Sequence, residues 1–300
     1  MRVLLVGGTG FIGAALANSL IEDGDEVVCI TRNPGKAIQK IPQVENIHHA
    51  DVVSDVLPKS IFSNVDAVVN LAGKRIPGIW TKRTKNLILS TRQIATQNLV
   101  DAMRDSGVGV LVNGSALGYY GDRGDEILSE SADAGSGFLA DVCKSWENSA
   151  HKFEGRLVLL RSGHVLGLGG LMTPMKVIAN LGLLGKLGNG EQWWPWIHMD
   201  DEIGIIKHAI KSVKITGPLN ASSPNPLRQK DFIKSLAKIM KRPCFFPSTS
   251  MMIRTVLSEF STEILSSRRM VPSLAVSSGY KFLYPEFEDA ISQIIEMGRR

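Results

Sequence analysis

The chain has 300 residues, 44% of them hydrophobic and 21% charged, and its 34 basic and 29 acidic residues leave a formal charge of +5. This is the composition of an ordinary soluble globular protein, long enough for one large domain or two unequal ones. The basic residues form no sustained run with interleaved aromatics, and every apolar run is far shorter than a membrane span, so neither a nucleic-acid partner nor a membrane is expected.

Cys29, Cys143 and Cys244 are odd in number and far apart, with no zinc spacing and no disulfide framework. No metal site is expected, and a reducing, cytoplasmic setting is. No targeting segment precedes the first predicted strand.

That strand, Val3 to Val6, runs into Gly7-Gly-Thr-Gly10-Phe-Ile-Gly13 and then a helical pattern from Ala14 to Leu20. Gly7 permits the bend, Gly10 lets backbone approach a pyrophosphate, Gly13 lets the helix pack on the strand, and the helix N-terminus offers free N–H groups to the phosphates. The whole turn, including Thr9, Phe11 and Ile12, is therefore read as a dinucleotide site.

Glu26 to Thr31 is the second predicted strand. An acidic residue at its carboxyl end would accept from a ribose 2′-OH, whereas a basic one accommodates a 2′-phosphate. The residues here are Thr31-Arg32-Asn33, which predicts NADP rather than NAD; the plainer reading of Arg32 is a solvent-facing turn residue. Val44 to His49 is a short third strand leading to Asp51, beside the adenine. Asp66 to Gly73 is a clearer strand, and the small Ala72 and Gly73 let backbone pass close to a cofactor or simply end a buried strand.

A long helix is predicted from Trp80 to Asp105, then a strand from Val108 to Asn113 with Ser115 on the following loop, a helix including Glu147 to Phe153, and a strand from Leu157 to Leu160. Alternation at this spacing implies an α/β fold of Rossmann type, a doubly wound parallel sheet in the order 3-2-1-4-5-6, with ligands above the carboxyl ends. Past Arg161 the chain turns glycine-rich and supplies a substrate lobe. Three of its five tryptophans lie in Trp193-Trp-Pro-Trp196, which either line a substrate pocket or pack between lobes. Asp200 or Asp201 is expected to cap the helical run Glu202 to Ile210, and His198 is either a structural histidine or a substrate contact. Gly217 to Pro224 reads as strand and loop, and Gln229 to Met240 as a basic amphipathic helix. The expected organisation is a cofactor-binding domain over 1–240 and a small C-terminal module over 241–300, punctuated by Pro243, Pro247, Pro272 and Pro285.

These residues resemble the extended short-chain dehydrogenases/reductases of the sugar-nucleotide epimerase branch, and more narrowly the atypical epimerase-family NADP-dependent oxidoreductases. The resemblance is carried by Gly7 to Gly13, Asn70-Leu-Ala-Gly73, Thr91-Arg92 with Thr96, Ser115-Ala-Leu-Gly-Tyr-Tyr-Gly121, Arg161-Ser-Gly163 with Val165-Leu-Gly167, Gln192 and Trp196-Ile-His-Met-Asp200. The C-terminal Pro272, Leu274, Gly279-Tyr280, Phe282 and Tyr284-Pro285 extend it over nearly the whole chain. It implies cofactor contacts from Thr31, Arg32, Leu71, Ala72, Arg92 and the backbone near Val165, with Arg92 able to pair a phosphate bidentately. Lys74 departs from the family pattern, where a Glu often follows Asn-Leu-Ala-Gly.

The larger departure is chemical. Most of the superfamily moves its proton with a Tyr-x-x-x-Lys pair on a helix, the lysine lowering the tyrosine pKa while a serine holds the substrate carbonyl. Anchored on Trp146-Glu147, the tyrosine slot here is Leu139 and the lysine slot Cys143; Phe138 lacks the hydroxyl, and Lys144 is rotated by about 100° from the slot. Ser115 survives, and Tyr119 and Tyr120 are the nearest substitutes for the proton donor. Two readings follow: an NADP-dependent oxidoreductase or epimerase acting on a small carbonyl or hydroxyl substrate, or a non-catalytic NADP(H)-binding sensor that answers to a protein partner.

Overall fold

The computed structural model describes residues 1–246 and 248–299; the expectation for Pro247 therefore lies outside the described residues. Seven parallel strands form the central sheet: β1 (Arg2–Val6), β2 (Glu26–Thr31), β3 (Asn46–His49), β4 (Ala67–Asn70), β5 (Val110–Ala116), β6 (Arg156–Ser162) and β7 (Gly217–Ala221). Their spatial order is 3-2-1-4-5-6-7, the doubly wound arrangement predicted with one further strand at the edge. Val3 to Val6 and the whole of β4 are buried, as strands covered on both faces must be.

Helices α1 (Phe11–Glu22), α2 (Pro34–Lys40), α3 (Lys82–Met103), α4 (Phe138–Ala150), α5 (Met172–Asn180), α6 (Met199–Lys211) and α7 (Gln229–Met240) connect and cover these elements. The first helix starts at Phe11, three residues before its hydrophobic pattern becomes readable, because Gly13 inside it packs directly on the Gly7 carbonyl. Thr81 caps α3, its hydroxyl accepting from the Thr84 amide at 3.1 Å.

Two expectations are corrected: β5 runs on to Ala116, so Ser115 lies in the strand, paired with Arg161, rather than on the loop after it, and the cap of α6 differs. Neither Asp200 nor Asp201 caps α6; the helix begins at Met199, and the His198 side chain accepts from the Asp200 amide at 3.1 Å. His198 is buried, its other ring nitrogen 3.0 Å from the Gln293 amide oxygen, which gives it a structural post. Asp201, fully buried, instead accepts from the Tyr280 hydroxyl at 3.0 Å and from the amides of Leu283 and Tyr284 at 2.8 and 2.9 Å. The carboxylate thus fastens the C-terminal segment to α6.

Trp194 and Trp196 are buried in a core shared with α7 and the C-terminal helix Phe287–Met297, where Trp196 meets Phe287 edge-on at 5.1 Å. Trp194 and Trp196 are packing, whereas Trp193 is half-buried and its indole N–H donates to Asp125 at 2.8 Å. Residues 269–270 add a second attachment by pairing in parallel with 127–128.

Candidate active site

The predicted cofactor residues converge on the carboxyl edge of the sheet. Gly7 adopts φ +86°, and a Cβ there would lie 2.8 Å from the Leu71 carbonyl carbon and 2.9 Å from the Ala72 nitrogen. The turns after β1 and β4 therefore touch backbone to backbone, which only glycine permits. No side chain caps α1 at Gly10, so its first-turn amides have no side-chain cap, and no acidic residue sits in that turn. Phe11 turns its ring away, against the segment 167–170, where the glycines make room for it. Val165 lies in the strand His164–Gly167, paired with Ile197.

At the end of β2, the Thr31 hydroxyl accepts from the Asn33 amide at 3.2 Å and the exposed Arg32 lies 3.7 Å from Asp51. Asp51 also accepts from the Val53 amide at 3.0 Å, shaping the loop after β3. Lys40, not anticipated from the sequence, donates to the Thr9 carbonyl at 3.1 Å.

Beyond β4, Arg92 is buried against Gly73, where a Cβ would come within 2.8 Å of its Cζ, with its guanidinium 5.0 Å from the Trp146 ring centre. Its Nη1 donates to the carbonyls of Lys74 and Ile88, and no carboxylate pairs with it among the described residues. Burial lowers its pKa to about 10, which leaves it charged at neutral pH. A buried charge without a counter-ion is costly, so this guanidinium is suited to an anion from outside the chain. Asn70, Thr96, Asn113 and the Trp146 indole form a closed hydrogen-bond network beneath it.

Ser115 is buried at the end of β5 and donates to Glu147 at 2.6 Å. Glu147 in turn accepts both Nε and Nη2 of Arg161 at 2.9 Å, a buried bidentate pair. Burial alone would lower the Arg161 pKa; the bonds to Glu147 override it and raise it. Tyr120 is fully buried, with its hydroxyl donating to Asn220 at 2.6 Å and accepting from Arg161 at 3.1 Å, and burial pushes its pKa up to about 12. Tyr119 is half-buried, its ring lying 3.4 Å under the Arg161 guanidinium. The two slots of the missing pair, Leu139 and Cys143, face Gly118, and burial, with Glu147 next, pushes the Cys143 thiol up to about 12, so it offers no thiolate.

A cleft of about 680 Å³ lies between Gly118, Gly121 and the start of α4 on one side and the C-terminal residues 250–268 on the other. Leu139, Gln192, Arg254 and Arg268 line it, and Trp80 stands at its side against Phe138 and Phe260 at 5.1 and 5.7 Å. Lys85 of α3 ties the wall down by an ion pair of 2.6 Å with Glu259.

Glu202 is a buried carboxyl that no sequence pattern announced. Its Oε1 accepts from Ser162 at 2.5 Å, its Oε2 has no partner among the described residues, and burial pushes its pKa up from 4.5 to about 8. Between those values the folded chain holds a proton that the unfolded chain has lost. The stability from this group is thus fully present below pH 4.5 and is lost as pH rises towards 8. We expect parent stability, relative to Glu202→Gln, to fall by up to about 1.4 kcal/mol per pH unit across that window in urea titrations. A difference independent of pH would show that Glu202 is ionised in the fold.

A model of the NAD-dependent epimerase/dehydratase family matches residues 3–220. The chain belongs to that family. A second model, a domain of unknown function (DUF1731), matches residues 249–294, the stretch that walls the cleft and is fastened by Asp201. Among relatives of the epimerase family, the family protein YfhF of Bacillus subtilis is 34% identical, with 98% of each chain covered. The chloroplastic SDR39U1 homolog of Arabidopsis thaliana is 32% identical over 99% of this chain and 87% of its own. The crystal structure of human epimerase family protein SDR39U1 with NADPH superposes with a TM-score of 0.88 at 30% identity, covering 99% of both chains. A UDP-glucuronic acid 4-epimerase from Bacillus cereus, at 19% identity and a TM-score of 0.79 over 99% of this chain and 98% of its own, shares the fold. Among the described residues no helix is long and apolar enough to cross a membrane, and no group of three metal-ligating side chains occurs.

Proposed function

We propose that the protein is an NADP-dependent oxidoreductase or epimerase-like enzyme that acts on a small substrate carrying a carbonyl or hydroxyl group. The observation that supports this reading is the cleft walled by the missing-pair slot Leu139 and by Gly118, which follows Ser115 by three residues. The groove fits the cofactor on its own terms: glycines stand where any Cβ would collide, the α1 amides are uncapped, and Arg92 is a buried cation in want of an anion. Gly7, Thr9, Gly10, Phe11, Ile12 and Gly13 would hold the pyrophosphate with backbone, Thr31, Arg32 and Asp51 the adenosine, and Leu71, Ala72, Gly73, Arg92 and Val165 the remainder. When bound, NADPH supplies the hydride.

Ser115 directs the chemistry of recognition. Its proton is committed to Glu147, so it offers lone pairs rather than a donor to a substrate. It therefore receives a substrate hydroxyl readily, whereas a carbonyl requires the serine to leave a charge-assisted bond worth about 1.5–3 kcal/mol. Tyr120 is occupied by Asn220 and Arg161, so we assign the proton to Tyr119, whose hydroxyl has no partner among the described residues.

The experiment is turnover on a panel of alcohols with NADP⁺ and carbonyls with NADPH. Tyr119→Phe is expected to lower kcat by about 10²-fold or more. Turnover unchanged in Tyr119→Phe overturns that assignment, and tight NADPH binding with no turnover on any substrate would favour the non-catalytic sensor.

A further inference from the structure

We propose that Lys40 is the second jaw of a clamp for the adenosine 2′-phosphate, closing from the glycine turn while Arg32 closes from the end of β2. The inference rests on the NADP reading above and adds to it a residue that determines which dinucleotide is preferred.

In this fold the adenosine ribose lies between the carboxyl end of the second strand and the glycine turn, since the strand end reads the 2′ position and the turn holds the pyrophosphate. A single short helix brings a cation to each side of that interval. Helix α2 starts immediately after Arg32, where the Asn33 side chain accepts from the Lys36 amide at 3.0 Å, and it ends at Lys40. From there Lys40 reaches back across the surface, and its Nζ donates to the Thr9 carbonyl at 3.1 Å.

An exposed lysine gives up rotamer freedom to hold one place, and the place it holds is the middle of the dinucleotide turn. One of its three N–H donors is spent on Thr9, and two have no partner among the described residues; no carboxylate pairs with it there. Arg32 is equally uncommitted: it is 71% exposed, and its ion pair with Asp51 at 3.7 Å is longer than a hydrogen bond. Asp51 is the one carboxylate within ion-pair range of either cation among the described residues. A phosphate dianion has the charge and the acceptor oxygens to take both cations at once.

The alternative is that Lys40 merely braces the turn, and Lys40→Gln separates the two. The amide can still donate to the Thr9 carbonyl, but the charge is gone. Affinities of the parent, Lys40→Gln and Arg32→Gln would be measured by titration calorimetry for NADPH, NADH, 2′,5′-ADP and 5′-AMP. The clamp predicts that Lys40→Gln weakens NADPH and 2′,5′-ADP by about tenfold to a hundredfold, as does Arg32→Gln, with NADH and 5′-AMP changed by less than about twofold.

Equal weakening of the phosphorylated and unphosphorylated ligands would make Lys40 a brace and overturn the inference. So would an unchanged preference for NADPH in Lys40→Gln. A parent that binds NADH as tightly as NADPH, or neither, overturns the cofactor reading and the inference together, which is a different result from either of the others.

Discussion

Glu147→Ala is expected to destabilise the protein by about 3–5 kcal/mol, read as a fall in the urea midpoint at unchanged slope. The change removes both partners of the Arg161 fork and the acceptor of the Ser115 hydroxyl, all in buried surroundings. Arg161 would be left as an uncompensated buried charge against Tyr119 and Tyr120. Replacing both members of the pair, Glu147→Leu with Arg161→Met, should cost much less, because no orphan charge survives. A Glu147→Ala variant as stable as the parent would mean that the pair is solvated. The two variants also separate stability from chemistry: if the double variant folds but loses turnover, the pair serves to aim Ser115 rather than to hold the sheet.

Gly7→Ala is expected to abolish measurable NADPH binding and to cost about 2–4 kcal/mol of stability. A non-glycine residue at φ +86° pays roughly 1–2 kcal/mol in conformation. Pressing a Cβ to 2.8 Å of the Leu71 carbonyl carbon adds about 1–3 kcal/mol of overpacking and pushes apart the turns that form the groove. Gly24 is a control within the same chain: it has φ +83° but open space around its missing Cβ. Gly24→Ala should show the conformational cost alone and bind NADPH like the parent. If both variants bind equally well, the contact between the two turns has no part in building the cofactor site.

The sheet was legible because its signal is local. Each strand is a short apolar run ended by a turn, and the glycine turn marks which strand is first; the rule for crossovers then leaves few orders, of which the dinucleotide turn favours the one observed. The empty Tyr-Lys positions were legible for the same reason, since they sit at fixed offsets from Trp146-Glu147. What escaped was pairing at a distance. Glu147 reads locally as a helix residue and Arg161 as a strand end, and nothing in either stretch says that they meet. Lys40 lies 31 residues from the carbonyl that it binds. The cap of α6 went to His198 because Asp201 was drawn inward by three donors from residues 280–284, a demand invisible at the helix itself. Glu202 was hidden likewise, for only the fold makes its position dry.

The fastening of residues 280–284 to α6 has a consequence for the order in which the protein becomes competent. During synthesis the sheet has all its strands once residue 221 has emerged, so the dinucleotide groove can form early. The cleft wall, Ser250 to Arg268, comes later, and its clasp on Asp201 later still. A nascent chain would therefore hold all the strands of the sheet before the wall of the cleft exists, and Asp201 is the point at which the last-made segment is fastened to α6.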